Sequence, residues 1–286
     1  MKRILIIGCG DIALRVAPLL RSRYRLFGLV RNPERFEALR AAGIVPLWGD
    51  LDEARSLRHL HGLAHTVLHF APPPGEGEHD TRTRHLLAAL SHGRRPQNLV
   101  YISTSGVYGD CAGAVVPETH PLNAQNARAK RRADAENQIR IWARNNGVRA
   151  SILRVPGIYA ADRLPLQRLH QGTPAIVAAE DGYTNHIHAD DLAHSVIAAM
   201  RHGRPNRVYH TVDDSRMKMG EYFDAVADAF ALPHPPRITR AEAQNVLSPV
   251  LLSFMNESRR LTNTCMKQEL KVTLRYPTVG DTLKEV

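Results

Sequence analysis

The chain is predicted to be an α/β protein, a doubly wound parallel sheet with a smaller C-terminal lobe, and three features of the sequence predict it. Short apolar runs alternate with helical periods through the first half. A glycine-rich turn, GCGDIA, follows the first apolar run directly and opens a helix. After Pro156 the rhythm changes, Pro and Gly become frequent, and the tail is mainly helical.

Taken in order, the first strand is Arg3 to Ile7, followed by a helix from Asp11. Strands at Arg25 to Val30, Ile44 to Leu47, Thr66 to Phe70, Leu99 to Ser103 and Arg149 to Val155 continue the series. Helical stretches begin near Pro33, Asp52, Thr81 and Ala124 between them. NHIH at 185–188 reads as a short strand leading into a helix from Asp190 to Met200, with Asp190 as its cap. RVYHTV at 207–212 is a further strand, and PHPP at 233–236 breaks the helical tail that starts at Met217. No internal repeat, low-complexity segment or clear flexible linker interrupts the pattern.

At 286 residues, 43% hydrophobic and 23% charged, the composition is ordinary globular material, long enough for one large domain or two unequal ones. No apolar run reaches membrane-spanning length, so no membrane partner is expected. The opening MKR-ILII imitates a signal peptide, but Gly8 interrupts the apolar run and no cleavage site follows. The default address is cytoplasmic. Cys9, Cys111 and Cys265 lie far apart without paired spacing, which predicts free thiols. The net charge of +10 raises the question of nucleic acid. However, only six of the 38 basic residues are Lys, the arginines are scattered, and the densest runs contain acids. A solvated basic surface with some phosphate contacts is expected rather than a nucleic-acid partner.

ILIIGCGDIA places Gly8, Gly10 and Ala13 as G-x-G-x-x-A between strand and helix, the Rossmann dinucleotide fingerprint. Gly8 permits the tight turn, Gly10 lets the backbone approach a pyrophosphate, and Ala13 lets helix and strand pack closely. The helix N-terminus at Asp11 and Ile12 then faces the phosphates. At the end of the second strand, GLVRNPER offers Arg31 where cofactor choice is normally decided. An arginine there suits the 2′-phosphate of NADP, with NAD as the alternative; the other reading is a plain surface arginine, with Glu34 and Arg35 next in the helix. On this fingerprint, residues 1–155 form the dinucleotide-binding domain, with 185–212 returning to it. Residues 156–184 and 213–286 form a smaller substrate lobe.

GCGDIA, WGDL at 48–51, FAPPP at 70–74, YISTSGVYGD at 101–110, LRVPGIYA at 153–160 and NHIHADDLA at 185–193 stand in this order. With them the chain resembles the NAD-dependent epimerase/dehydratase group of extended short-chain dehydrogenase/reductases, and an atypical branch of it. The resemblance implies that Asp50 and Leu51 hold the adenine, Phe70 and Ala71 line the path to the nicotinamide ribose, and Pro156, Gly157 and Ile158 flank the nicotinamide. It also implies an IHADDLA segment bordering the substrate cleft, and a homodimer paired through the helices on either side of the fifth strand.

The same resemblance implies a Ser/Thr after the fifth strand and a Tyr-x-x-x-Lys pair on the next helix. Thr104, beside Ser103 and Ser105, stands at the first position. The pair is missing. In ARAKRRADAE, aligning Glu136 with the family's glutamate puts Arg128 at the tyrosine position and Arg132 at the lysine position, and none of the eight tyrosines has a lysine four residues later. Arginine stays protonated, so Arg128 does not relay a proton as a tyrosine does, although it binds a carboxylate, phosphate or developing oxyanion. Arg132 takes over the lysine's electrostatic duty in this reading. In the other reading Arg128, Arg132 and Glu136 form an exposed i, i+4, i+8 charge ladder.

Tyr108 and Tyr159 are candidate replacement acids, each equally readable as a packing residue. His186 and His188 alternate onto one face ahead of Asp190 and Asp191, but no third ligand is spaced to join them and no metal is expected. Two functions follow. One is an NADP-dependent oxidoreductase or epimerase with an altered acid/base set, acting on a small, anionic or sugar-nucleotide-like substrate. The other is a catalytically silent NADP(H)-binding sensor or partner-binding protein.

Overall fold

The computed structural model describes residues 1–286, the side chain of Val250 excepted. Seven strands form one parallel sheet: β1 (Lys2–Ile7), β2 (Tyr24–Val30), β3 (Ile44–Trp48), β4 (Thr66–His69), β5 (Asn98–Thr104), β6 (Arg149–Val155) and β7 (Arg207–His210). Their order is β3-β2-β1-β4-β5-β6-β7, which reverses direction between β1 and β4. That reversal marks the topological switch point of a Rossmann-type fold, where ligands meet the carboxyl ends of the strands.

Successive side chains along each strand point to opposite faces, and because the sheet is covered on both faces the strands read as continuous apolar runs. Ile4 and Ile6 of β1 enter one core with Val100 and Ile102 of β5 and Leu153 and Val155 of β6. Leu5, Ile7, Leu99, Tyr101 and Ile152 point the opposite way into a second core. In chain order, α1 (Asp11–Leu20) is followed by the short α2 (Phe36–Ala41), and α5 (Leu166–His170) precedes α6 (Ala189–His202); α1 and α6 pack together on the first face through Val16, Ala17, Leu192 and Val196. The second face is covered by α3 (Thr81–Leu90) and α4 (Ala127–Asn146), with Leu86, Leu90, Ile139 and Trp142 buried. Each such Leu or Ile contributes about 1.5 to 3 kcal/mol by leaving water.

Three local expectations are corrected. The segment expected to be helical from Asp52 is a 3₁₀ run, Ala54–Leu60. Helix α4 starts at Ala127 rather than near Ala124, because Asn126 caps it by accepting from the Ala129 N–H at 2.8 Å. The cap of α6 is His188, whose Nδ1 accepts from the Asp190 N–H at 3.2 Å, and Asp190 sits in the first turn.

Beyond β6, short paired segments and small helices form further apolar clusters. Tyr159, Leu169, Phe223 and Val226 make one of them, with Phe223 and Val226 on α7 (Met219–Ala229). Ile176, Ala243, Leu247 and Met255 make another. Gly157–Tyr159 runs parallel to His186–His188, with Gly157 opposite His186. Among the described residues, no helix is long and apolar enough to cross a membrane.

Candidate functional site

Two cavities open along the carboxyl ends of the strands. The first, about 280 Å³, is lined by Gly8, Val30, Arg31, Arg35, Asp50, Leu51 and Ala71. Gly8 is held at φ +89°, and a Cβ there would sit 2.5 Å from the Ala71 nitrogen, so the loop packs directly onto the exit of β4. Gly10 differs: at φ −85° and ψ −158° it is extended, and a Cβ there meets nothing within 4 Å. Bare backbone therefore faces open space at the N-terminus of α1.

The neighbours predicted with it divide. Asp11 is held by Arg15 at 3.0 Å and Arg163 at 2.7 Å. The Ile12 side chain turns into the core, leaving only its backbone on the loop side. Phe70 is half-buried against the core, with its N–H on the Ile7 carbonyl at 2.7 Å. Asp50 accepts from the Asp52 N–H at 3.0 Å. Asp52 is bound by Arg82 at 2.6 Å, which holds its carboxyl below the usual range. Arg31 is exposed and, among the described residues, in no ion pair or side-chain hydrogen bond, although its charge also lowers the pKa of Asp52; a cation at this wall without a direct partner suits an anion.

The second cavity, about 340 Å³, is lined by Thr104, Ser105, Arg128, Pro156, Gly157, Ile158, Tyr183, His186, Phe254, Glu257 and Arg259, among others. Thr104 ends β5, and its Oγ1 accepts from the Gly106 N–H at 3.2 Å, capping the 3₁₀ turn Ser105–Tyr108. Arg128, at the start of α4, lays its guanidinium 4.1 Å from the centre of the Phe254 ring. Partial burial lowers its pKa from the ordinary value, against the attraction of Glu257. Arg128 thus joins Thr104 in the cleft.

Arg132 does not. Its Nη1 donates to the Ile102 carbonyl at 2.8 Å and to the Tyr101 hydroxyl at 3.0 Å, which fixes it on the flank of β5. The exposed charge ladder is overturned as well, since Glu136 is only 2% exposed. Its carboxylate accepts from Arg154 at 2.7 and 3.1 Å and from Ser103 Oγ at 2.6 Å. Arg132 and Glu136 therefore lie on the part of the helix face that packs on the sheet, while Arg128, at the start of the helix, stays exposed at the cleft.

The two tyrosines turn their hydroxyls inward. Tyr108 is fully buried and lies outside both cavities, its hydroxyl 2.6 Å from His210 Nε2 and hydrogen-bonded to Arg154. Burial pushes its pKa up to about 12. Tyr159 borders the cleft, but its hydroxyl is enclosed, and burial with the carboxyl of Asp213 raises its pKa further. The candidate acid at Tyr108 is therefore corrected: the turn after Thr104 drives its ring into the core. Sequence reading missed Phe254, Glu257 and Arg259, which come from the helical tail with no motif around them, and considered His186 only as a metal ligand.

Residues 4–211 match the model of the NAD dependent epimerase/dehydratase family, and the chain belongs to that family. It is 24% identical to a GDP-6-deoxy-D-mannose reductase of Pseudomonas aeruginosa, over 83% of this chain and 84% of that protein. It is 29% identical to a dTDP-glucose 4,6-dehydratase of Mycobacterium tuberculosis, over 56% of this chain and 55% of the relative. Among solved structures, a conserved protein of unknown function from Silicibacter pomeroyi superposes with TM-score 0.81 and 29% identity, covering 100% of this chain and 98% of that one. The UDP-glucose 4-epimerase of Thermotoga maritima superposes with TM-score 0.79 at 16% identity, over 99% and 96% of the two chains, so that likeness is one of fold.

Proposed function

We propose that the protein is an NADP-dependent oxidoreductase or epimerase acting on a small anionic substrate of the sugar-nucleotide kind, with an acid/base set that differs from the family's. The observation that carries this reading is the pair of cavities at the strand ends, one walled by the unpaired Arg31 and the other holding Thr104 and Arg128. Gly8, Gly10 and the first turn of α1, with Asp11 and Ile12, would hold the pyrophosphate, and Asp50 and Leu51 the adenine. Arg31 would take the 2′-phosphate, Phe70 and Ala71 the ribose side, and Pro156, Gly157 and Ile158 the nicotinamide, which supplies hydride chemistry when bound. Relatives named as a sugar-nucleotide reductase and a dehydratase support the substrate class. Residues 156–184 and 213–286 act as the substrate lobe, contributing Tyr183, Phe254 and Arg259 to the cleft.

The test is nicotinamide absorbance at saturating NADP⁺ or NADPH across a panel of sugar nucleotides and small carbonyl compounds. Turnover of an anionic member upholds the reading. The second reading, a silent NADP(H)-binding sensor, is favoured by the inward hydroxyls of Tyr108 and Tyr159, and tight NADPH binding with no turnover across the panel would select it.

Arg31→Ala is expected to narrow the preference for NADPH over NADH by about tenfold or more, from loss of one charge-assisted hydrogen bond. Equal affinities in the parent protein, measured by titration, would sink the NADP assignment. Arg128→Ala is expected to weaken an anionic ligand about 10- to 100-fold while NADPH affinity stays within about twofold. If calorimetry finds the anion unaffected, Arg128 serves only Phe254.

A further inference from the structure

His186 and His188 share one strand, yet their rings do different work. His188 caps α6 through Nδ1 and stacks on Tyr276, ring centres 3.8 Å apart. His186 is 5% exposed, packed against Tyr222 with ring centres 4.2 Å apart and planes tilted by 34°, and edge-on to Tyr159 at 6.0 Å. Its Nδ1 is enclosed without a hydrogen-bond partner. A neutral imidazole always presents one donor and one acceptor nitrogen, and an aromatic face is at best a weak acceptor for the first and no partner for the second. Nε2, by contrast, is not among the enclosed atoms that lack a partner. The Cδ2–Nε2 edge faces Gly157, where a Cβ would lie 3.3 Å from Cδ2 and 4.0 Å from Nε2. Both residues line the cleft that holds Thr104 and Arg128, and the lack of a side chain on Gly157 keeps that ring edge at the cleft wall.

We propose that His186, through Nε2, is the substrate-contacting and specificity-determining residue of this cleft, hydrogen-bonding a hydroxyl or carbonyl oxygen of the bound sugar nucleotide. The proposal rests on the functional reading above for the identity of that substrate. Burial keeps the ring neutral, its pKa pushed down to about 4, so it adds a directional hydrogen bond without charge where Arg128 supplies the cation. A buried polar group that is paired only when the right hydroxyl arrives is also the arrangement that rejects analogues lacking it.

The full-length protein, saturated with NADP⁺, is treated with diethyl pyrocarbonate at neutral pH, and the modified histidines are located by peptide mass spectrometry. His186 is expected to be acylated in the folded protein. UDP-glucose, GDP-mannose or dTDP-glucose, whichever calorimetry shows to bind, is expected at ten times its Kd to slow that labelling about tenfold, leaving the exposed His79 unchanged. His186→Gln is expected to retain most of the sugar-nucleotide affinity, and His186→Phe, which keeps a ring packed against Tyr222, to lose it. The proposal is overturned if His186 resists labelling while His79 reacts, if a sugar nucleotide binds without protecting it, or if the Phe variant binds like the parent. If His186 labels but no sugar nucleotide binds, the access of Nε2 to the cleft is upheld and the substrate class proposed above is what fails.

Discussion

Gly10→Val is expected to fold with near-parental stability and to lose NADPH and NADH together, by more than about 100-fold. The second half of that expectation comes from the contacts the proposed phosphate site would make: two or more charge-assisted hydrogen bonds between loop backbone and pyrophosphate, each about 1.5 to 3 kcal/mol. The first half comes from the loop itself. Gly10 is extended at φ −85°, a region any L-residue adopts, and a Cβ added there meets no protein atom within 4 Å. A valine therefore fills only the open space in which the phosphates are proposed to sit. Gly8 in the same fingerprint behaves oppositely, because φ +89° and a Cβ 2.5 Å from the Ala71 nitrogen make any side chain a folding defect. Calorimetry with both nucleotides, alongside a thermal melt of each variant, separates the cases. Normal binding by folded Gly10→Val would show that this loop is not the phosphate site.

The sheet was legible because each strand is a short apolar run set between turns and helical periods, and the fingerprint marks the strand-to-helix turn. Ile4 and Ile6 go one way, Leu5 and Ile7 the other, and nothing distant is needed to see it. The helix that should hold the missing Tyr and Lys was legible only in part. Helical spacing puts Arg128, Arg132 and Glu136 on one face, but it does not say what that face meets. Glu136 is buried because Arg154 of β6 and Ser103 of β5 wait beneath it, a pairing made by sheet order alone. Tyr108 failed as a candidate for a similar reason. It lies four residues past Thr104, and the 3₁₀ turn between them directs one side chain to the cleft and the other to His210. Phe254, Glu257 and Arg259 reach the cleft by tertiary packing of the tail, which leaves no periodic or motif signal in the sequence.

Glu136→Ala is expected to destabilise the fold by about 3 to 5 kcal/mol, the usual consequence of removing one partner of a buried ion pair. Arg154 is 4% exposed, and two of its hydrogen bonds end on the Glu136 carboxylate. Without that carboxylate the guanidinium remains charged in the interior, supported by the Tyr108 hydroxyl and the Glu118 carbonyl. Ser103 loses its acceptor at the same time. Glu136→Gln keeps an acceptor for Ser103 but not the compensating charge, so its cost is expected to fall between Ala and the parent. Replacing both partners, Glu136→Leu with Arg154→Met, is expected to recover much of the loss, since apolar side chains of similar volume remove the buried charge altogether. Urea unfolding of the four proteins gives the comparison. A cost below about 1 kcal/mol for Glu136→Ala would mean that the pair is worth no more than a surface contact. The effect extends to the site, because Thr104 follows Ser103 at the end of β5 and Pro156 follows β6, the strand that carries Arg154. The pair therefore pins together the two strand ends that wall the cleft, and Glu136→Gln is expected to loosen ligand binding there while leaving the Gly10 loop, on β1, unaffected.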